Sequence, residues 1–349
     1  MAYIENGGSL LNRAIREALA RGERELTVTG DYLIEEAVVL PSHFTLTLDG
    51  CHLRLADGTF CRIFENQYVA DLDRGAPAAP DADIRLLGKN GATLDGGNYN
   101  GLCEYHYRET PYHMSVNNLL LFVCVTGFRV EGLFCTRQRW WALNFVACAF
   151  GVVRQIEFLA DATRLLPDGS RTAGLSWQDY ENTYIKNADG IDLRRGCHDI
   201  LIEDISGFTE DDTIALTTIP KDSTLARYGV TDAAPGIASV TIRRITASSF
   251  CSIVRLLNQG GDFMRDITIE EVCDTGDHSP YMEAGLHAVR IGDTHAYDAS
   301  APVLPPENIT VRHITGAQGT VVDVACEIRG EHFADFRGVR EGQSILVRH

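Results

Sequence analysis

Residues 187–216 read NADGIDLRRGCHDILIEDISGFTEDDTIAL, and the short apolar runs inside them decide the fold. Ile191–Leu193 and Ile214–Leu216 look alike and start 23 positions apart, with a third run, Ile200–Ile205, between them. Strict alternation of apolar and polar residues marks a strand with one buried face. Strand, turn, strand, turn and return after two dozen residues mark a stacked coil. Asp189 stands two residues before the first run and Asp212 two before the matching one. With rungs ~4.8 Å apart, the two aspartates are expected as stacked neighbours, with Asp211 beside them. A single aspartate is an ordinary turn residue. Three on adjacent rungs, two of them at matching points before a repeated strand, mark a candidate site.

The repeat extends in both directions. Segments anchored on Val130, Val153, Ile202, Ile242, Ile269 and Val311 share one apolar pattern, at spacings of 23, 49, 40, 27 and 42. The short spacings are single coils. The long ones predict coils with loops inserted near 160–183, 218–239 and 274–308, which carry Pro, Gly and polar clusters. A second alternating run accompanies each anchor: WWALNFV, GIDLRR, TIALTT, CSIVRLL, HAVRIGD and TVVDVAC. No helical segments separate the strands, which excludes a doubly wound α/β sheet and predicts an all-β parallel β-helix. The inserted loops are expected on one side of the solenoid, walling a groove over the aspartates. Residues 9–21, SLLNRAIREALAR, have helical spacing, with Ser9 as the expected N-cap and Gly22 as the stop. This helix is expected to cap the first rung. A single domain over 1–349 is expected, with 1–25 as cap and 26–349 as coils. The ring-rich stretch EYHYRETPYHM (104–114) lines a cleft or packs as a flap.

The chain of 349 residues has 48 acidic and 31 basic residues, for a net charge of −17, and no basic run. That argues against a nucleic-acid partner, whereas a few local arginines can still serve an anionic ligand. No apolar run reaches the ~18–20 residues that cross a bilayer, so no membrane partner is expected. The first residues lack the basic start and apolar core of a signal peptide. Ten cysteines lie without CxxC pairs or zinc spacing; Cys124, Cys148, Cys251 and Cys326 sit in apolar runs. The expectation is a cytoplasmic protein with free thiols. No cofactor or metal is expected, and homo-oligomerisation is left open.

NADG followed by EDD resembles the NTDG and DD motifs of polygalacturonase-like glycoside hydrolases, glycoside hydrolase family 28. RQRWWALNFVACAFGVVRQIEF is similar to that family's SPFWxxH segment and following strand, with Asn144 where a His is usual. The resemblance spans roughly residues 80–330. It implies a right-handed parallel β-helix of the pectin lyase fold and hydrolysis with inversion. It further implies Asp211 as general acid, with Asp189 and Asp212 holding and deprotonating water. Independently, clustered carboxylates cannot all ionise easily, so a proton is kept near neutral pH. Neighbours on a regular strand point to opposite faces, so Asp211 and Asp212 share a site only where the backbone bends.

Two departures matter. The family's GHG motif falls near Ser248-Ser249-Phe250-Cys251, without His or Gly, and its RIK motif at Arg290-Ile291-Gly292, without Lys. Arg255 and Arg290 remain to pair with a carboxylate or sulfate. Either Trp140 or Trp141 faces outward as a stacking platform or packs inward, and His287 is a stand-in for the missing imidazole or a structural residue. Asn187, Trp141, Asn144, Arg255, His287 and Arg290 form the substrate-binding set. The leading expectation is an inverting hydrolase of an oligosaccharide, with pectin-derived or otherwise acidic chains among the candidates. Loss of Lys argues for a different sugar from polygalacturonate. The alternatives are a non-catalytic carbohydrate-binding β-helix and a lyase or epimerase on the same fold.

Overall fold

The anchors fall into one row. In the structure, a computed structural model, Val130 pairs with Val153, Val153 with Ile202, Ile202 with Ile242, Ile242 with Ile269 and Ile269 with Val311, all in parallel register. The row runs back through Leu86 and Leu46 to Leu26 and forward to Phe333. Its aliphatic members from Leu46 to Val311 are fully buried, because every second side chain points into the solenoid. The structure describes residues 2–57, 59, 61–97, 118–138, 141–160, 164–165, 171–172, 189–219, 227–228, 230, 235–276, 286–294 and 303–349.

Two long parallel sheets build this parallel β-helix. Sheet A holds the long strands, among them Val125–Thr136, Ala149–Leu159, His198–Thr209, Ile237–Ser249, Met264–Asp274 and Glu307–Gly316. Sheet B holds the shorter second runs, including Leu143–Val146, Ile191–Leu193, Ile214–Thr217, Ser252–Leu257, His287–Gly292 and Thr320–Ala325. Eight successive sheet A strands bend near their start at a residue in the left-handed region: Asp83, Gly127, Phe150, Asp199, Ser239, Asp266, Asn308 and Gly330 occupy the same place on successive rungs. On the outer face of sheet A, Glu131, Arg154, Glu203, Arg243, Glu270 and Arg312 stack in one row of alternating sign. Within it, Arg154 lies 3.0 Å from Glu131, and Arg243 2.8 Å from Glu203.

Helix α1 (Gly7–Ala20) covers the first coil with Leu11, Ile15 and Ala18. Asn12 stitches it to sheet B, donating to the Ala37 carbonyl and accepting from the Val39 amide. Ser9 is not the N-cap: Asn6 is, and Ser9 lies inside the first turn. The Glu35 carboxylate takes the Gly8 and Ser9 amides, so a side chain from the bend after strand Asp31–Ile34 does the capping and the helix starts earlier. At the other end Arg21 caps and Gly22 leaves in the left-handed conformation, as expected of a stop.

The expectation that the inserted loops share one side is corrected. The connections 160–190 and 275–286 run from sheet A to sheet B, whereas 218–236 and 293–306 run from sheet B back to sheet A. They therefore join opposite ends of the sheet B strands. Spacing between anchors counts residues per coil but does not register the corner at which extra residues enter. The outer face of sheet B is also divided along its length. Near the N-terminal rungs Leu121, Val123 and Val146 are covered by Val69 of α2 (Gln67–Asp73) and by Tyr228 and Val230. The central rungs instead open into a cleft. Among the described residues, no helix is long and apolar enough to cross a membrane.

Candidate active site

Gly190 is where two rungs are drawn together. A Cβ there would meet the Thr213 carbonyl at 2.5 Å and the Phe158 ring at 3.0 Å, so only glycine fits. The backbone ladder crosses at this point: Ala142 donates to the Asp189 carbonyl, Gly190 to the Asp212 carbonyl and Ile191 to the Thr213 carbonyl. Asp189 and Asp212 thus sit at equivalent points two residues before the paired strands Ile191–Leu193 and Ile214–Thr217. The chain bends over 210–213, between the end of one strand at Thr209 and the start of the next at Ile214. That bend brings Asp211 to the same side as Asp212. One oxygen from each of Asp189, Asp211 and Asp212 lies within 4.8 Å of the others. The Asp212 amide donates to both other carboxylates, at 3.1 Å to Asp189 and 3.0 Å to Asp211.

Asp189 and Asp212 are buried, and Asp211 is half-buried. Burial, reinforced by Asp192, Asp211 and Asp212, holds the Asp189 carboxyl well above its ordinary range, against the opposing Arg194. Burial and then Asp211 push Asp212 up to about 7, with Arg255 opposing. The cluster keeps protons near neutral pH because three such close carboxylates cannot all be charged. The same three oxygens are close enough together to meet one cation.

The acids form the floor of a cleft of about 350 Å3, whose walls include Trp141, Arg194, Arg255, His287, Arg290 and Asp293. Arg194 donates to Asp192 at 2.8 Å, and its guanidinium lies 3.8 Å from the centre of the Trp141 ring. Arg255 pairs with Asp293; Arg290 lies 3.1 Å from Asp293 and 3.3 Å from Asp323. His287 continues the row of Asp212 and Ser252, with Nε2 3.6 Å from Asp323. Burial lowers its pKa to about 4 despite Asp323, so the imidazole is neutral at neutral pH.

Of the residues singled out in the sequence, Asp189, Asp211, Asp212, Trp141, Arg255, His287 and Arg290 meet in this cleft. Asn144 does not line it: it is fully buried between Leu121 and Asp192 on sheet B, and its amide atoms have no partner among the described residues. Asn187 and Trp140 lie outside the described residues. The place of the GHG motif is filled differently. Ser249 donates to the Asp211 carbonyl, the Cys251 amide donates to Ser249, and the Cys251 thiol donates to the Asp211 carboxylate. Burial and the three acids push the Cys251 thiol well above its ordinary range, so it remains a donor. Cys251, Arg194 and Asp293 were missed. The motif comparison stops on Cys251 for lacking an imidazole, and Arg194, just past the Ile191–Leu193 strand, stands two residues after Asp192, an alternation that was open to reading.

No family model matches the sequence, and no curated protein matches it. Solved structures do share the fold. A 1,3-alpha-1,4-beta-D-galactose-4-sulfate-3,6-anhydro-D-galactose-2-sulfate 4 galactohydrolase superposes with a TM-score of 0.63 at 10% identity, covering 98% of this chain and 86% of its own. An endo-xylogalacturonan hydrolase from Aspergillus tubingensis gives 0.51 at 14% identity, over 96% and 91%. A tailspike protein mutant of E. coli bacteriophage HK620, in complex with a pentasaccharide, gives 0.56 at 11% identity. It is matched over 98% of this chain, which spans only 61% of the tailspike chain. The neighbours are β-helix proteins, two of them named as glycan hydrolases, and the likeness is one of fold.

Proposed function

We propose that the protein is a glycoside hydrolase that cleaves an oligosaccharide over the Asp189–Asp211–Asp212 cluster. The observation that carries this reading is three carboxylates converging from adjacent rungs at the floor of an open cleft, two of them held well above the carboxylate range. Glycoside hydrolysis needs one carboxyl group that gives a proton to the leaving oxygen and another that directs attack at the anomeric carbon. Asp211, the most accessible of the three, donates the proton. Asp189 and Asp212, stacked on neighbouring rungs, hold the attacking water. Before substrate binds, the cluster holds its proton as a unit, on the buried pair, and the proton passes to Asp211 before the bond breaks. The oxygens lie closer than the ~6.5–9.5 Å usual for an inverting pair, so the water sits beside Asp189 and Asp212 rather than between acid and base.

The spacing favours one second reading. Carboxyl groups ~5–5.5 Å apart are usual in retaining enzymes, where the base is instead a nucleophile. Proton NMR of the first-formed product separates the two by its anomer. The broader test is hydrolysis of an oligosaccharide panel by the wild type and by Asp211→Asn. The variant is expected to lose ~10²–10⁴-fold in turnover with binding nearly intact. It should recover partly on activated aryl glycosides, whose leaving group needs no proton. A wild type that binds glycans yet cleaves none would leave a carbohydrate-binding β-helix instead.

A further inference from the structure

The geometry points to an uncharged glycan as the cleft's ligand, because the arginines that line it are already matched by the protein's own aspartates. This rests on the glycoside hydrolase reading and deepens it. The outward row of sheet B runs Asp192, Ala215, Arg255, Arg290 and Asp323 on successive rungs. Asp293, from the end of the His287–Gly292 strand, closes the row sideways. One of its oxygens meets Arg255 and the other lies 3.1 Å from Arg290. Arg290 reaches on to Asp323, and Arg194 is held by Asp192.

The charge balance follows from these contacts. Among the described residues, four carboxyl groups line the cleft (Asp189, Asp211, Asp212 and Asp293) against three guanidiniums (Arg194, Arg255 and Arg290), and of the four the buried Asp189–Asp212 pair keeps a proton near neutral pH. Asp192 and Asp323, in contact with two of those guanidiniums, add two more negative groups. His287 adds no positive charge near neutral pH, its pKa being lowered to about 4. The Arg255 and Asp293 side chains are only 8% and 7% exposed, so water does little to screen the pairing.

A sugar carboxylate or sulfate brought to Arg255 and Arg290 would therefore lie against Asp293 and Asp323 and face the catalytic aspartates. Like charges brought together in an interface select against a partner more strongly than attraction at a matched site selects for it. Sugar hydroxyls meet no such penalty. They donate to the carboxylates and accept from the guanidinium N–H groups, a mixed lining that fits a ligand of many hydroxyls.

Matched probes test this on the wild-type protein: galacturonate oligomers against their methyl esters, sulfated galactan oligomers against desulfated ones, and neutral hexose oligomers. Binding is read by calorimetry and cleavage by kcat/KM. Within each pair that binds, the uncharged member is expected to be preferred by about tenfold or more. Asp293→Asn, which removes the carboxylate between Arg255 and Arg290, should shift the preference toward the charged member by about tenfold, with folding checked by circular dichroism. If Asp293→Asn does not fold, the wild-type pairs decide alone. Equal or better use of the charged members by the wild type overturns the inference while leaving the hydrolase reading in place. So does a folded Asp293→Asn with an unchanged preference. A wild type that binds and cleaves no member of any class overturns the hydrolase reading and this inference with it.

Discussion

Replacing Asp212 with Asn should make the protein more stable at neutral and alkaline pH while abolishing its chemistry. Asp212 is buried beside Asp189 and Asp211, and its carboxyl is pushed from 3.8 to about 7. The unfolded chain releases this proton near pH ~3.9, whereas the folded protein keeps it to about 7. The stabilisation from the held proton is thus fully present below pH ~3.9 and lost as pH rises through about 7. At ~1.4 kcal/mol for each pH unit the full effect is ~4 kcal/mol, and sharing of the proton with Asp189 brings the expected gain to ~2–4 kcal/mol. Asn has the same shape and no charge, and the Asp212 amide keeps its bonds to Asp189 and Asp211. Urea denaturation of both proteins at pH about 5 and about 8 measures the difference. The variant's advantage should be about a third of its full size at the lower pH and complete at the higher one. An advantage that does not grow with pH, or a variant less stable at pH about 8, would refute the placement of three mutually repelling acids.

Three further predictions come from contacts in the site and under the second helix. Gly190→Ala drives a methyl group into the Thr213 carbonyl and must part the rungs of Asp189 and Asp212; turnover should fall at least ~10²-fold with strand content unchanged by circular dichroism. Cys251→Ala removes the thiol donor to Asp211, so the acidic carboxyl should hold its proton more tightly and one limb of the pH–rate profile should move upward, while Cys251→Ser keeps the wild-type limb. Tyr228→Phe leaves Arg62 and Asp73 without the phenol that joins them and should cost about 1–3 kcal/mol in urea denaturation, with a wild-type curve refuting the placement.

The solenoid was legible because its physics is periodic. Val130, Val153, Ile202, Ile242, Ile269 and Val311 each fill one place in a stacked core, and a buried row must repeat at every turn of the chain. The acids were legible for the same reason, since Asp189 and Asp212 share one register point. What was not legible depends on contacts with no period. Asp293 lies past the end of a strand and reaches Arg255 across 38 residues, a pairing that no spacing announces. The corner from which a loop leaves depends on which of two strands per coil it follows. Ser9 has the right chemistry for an N-cap, but Glu35 from the bend between two later strands reaches the amides first. Asn144 was judged by its alignment with a His, and its burial beside Asp192 is a matter of packing.

The alternating row on the outer face of sheet A has a bearing on how such a chain can change length. Glu131, Arg154, Glu203, Arg243, Glu270 and Arg312 take turns in sign from rung to rung. Loss of the one coil that carries Glu203 would bring Arg154 against Arg243, whereas loss of two coils would bring Arg154 against Glu270 and keep the alternation. Like charges opposite one another on a sheet are destabilising by ~0.2–1 kcal/mol, a small penalty that recurs with every such change. Along this stretch the row therefore acts as a parity rule: coils are gained or lost most easily in pairs.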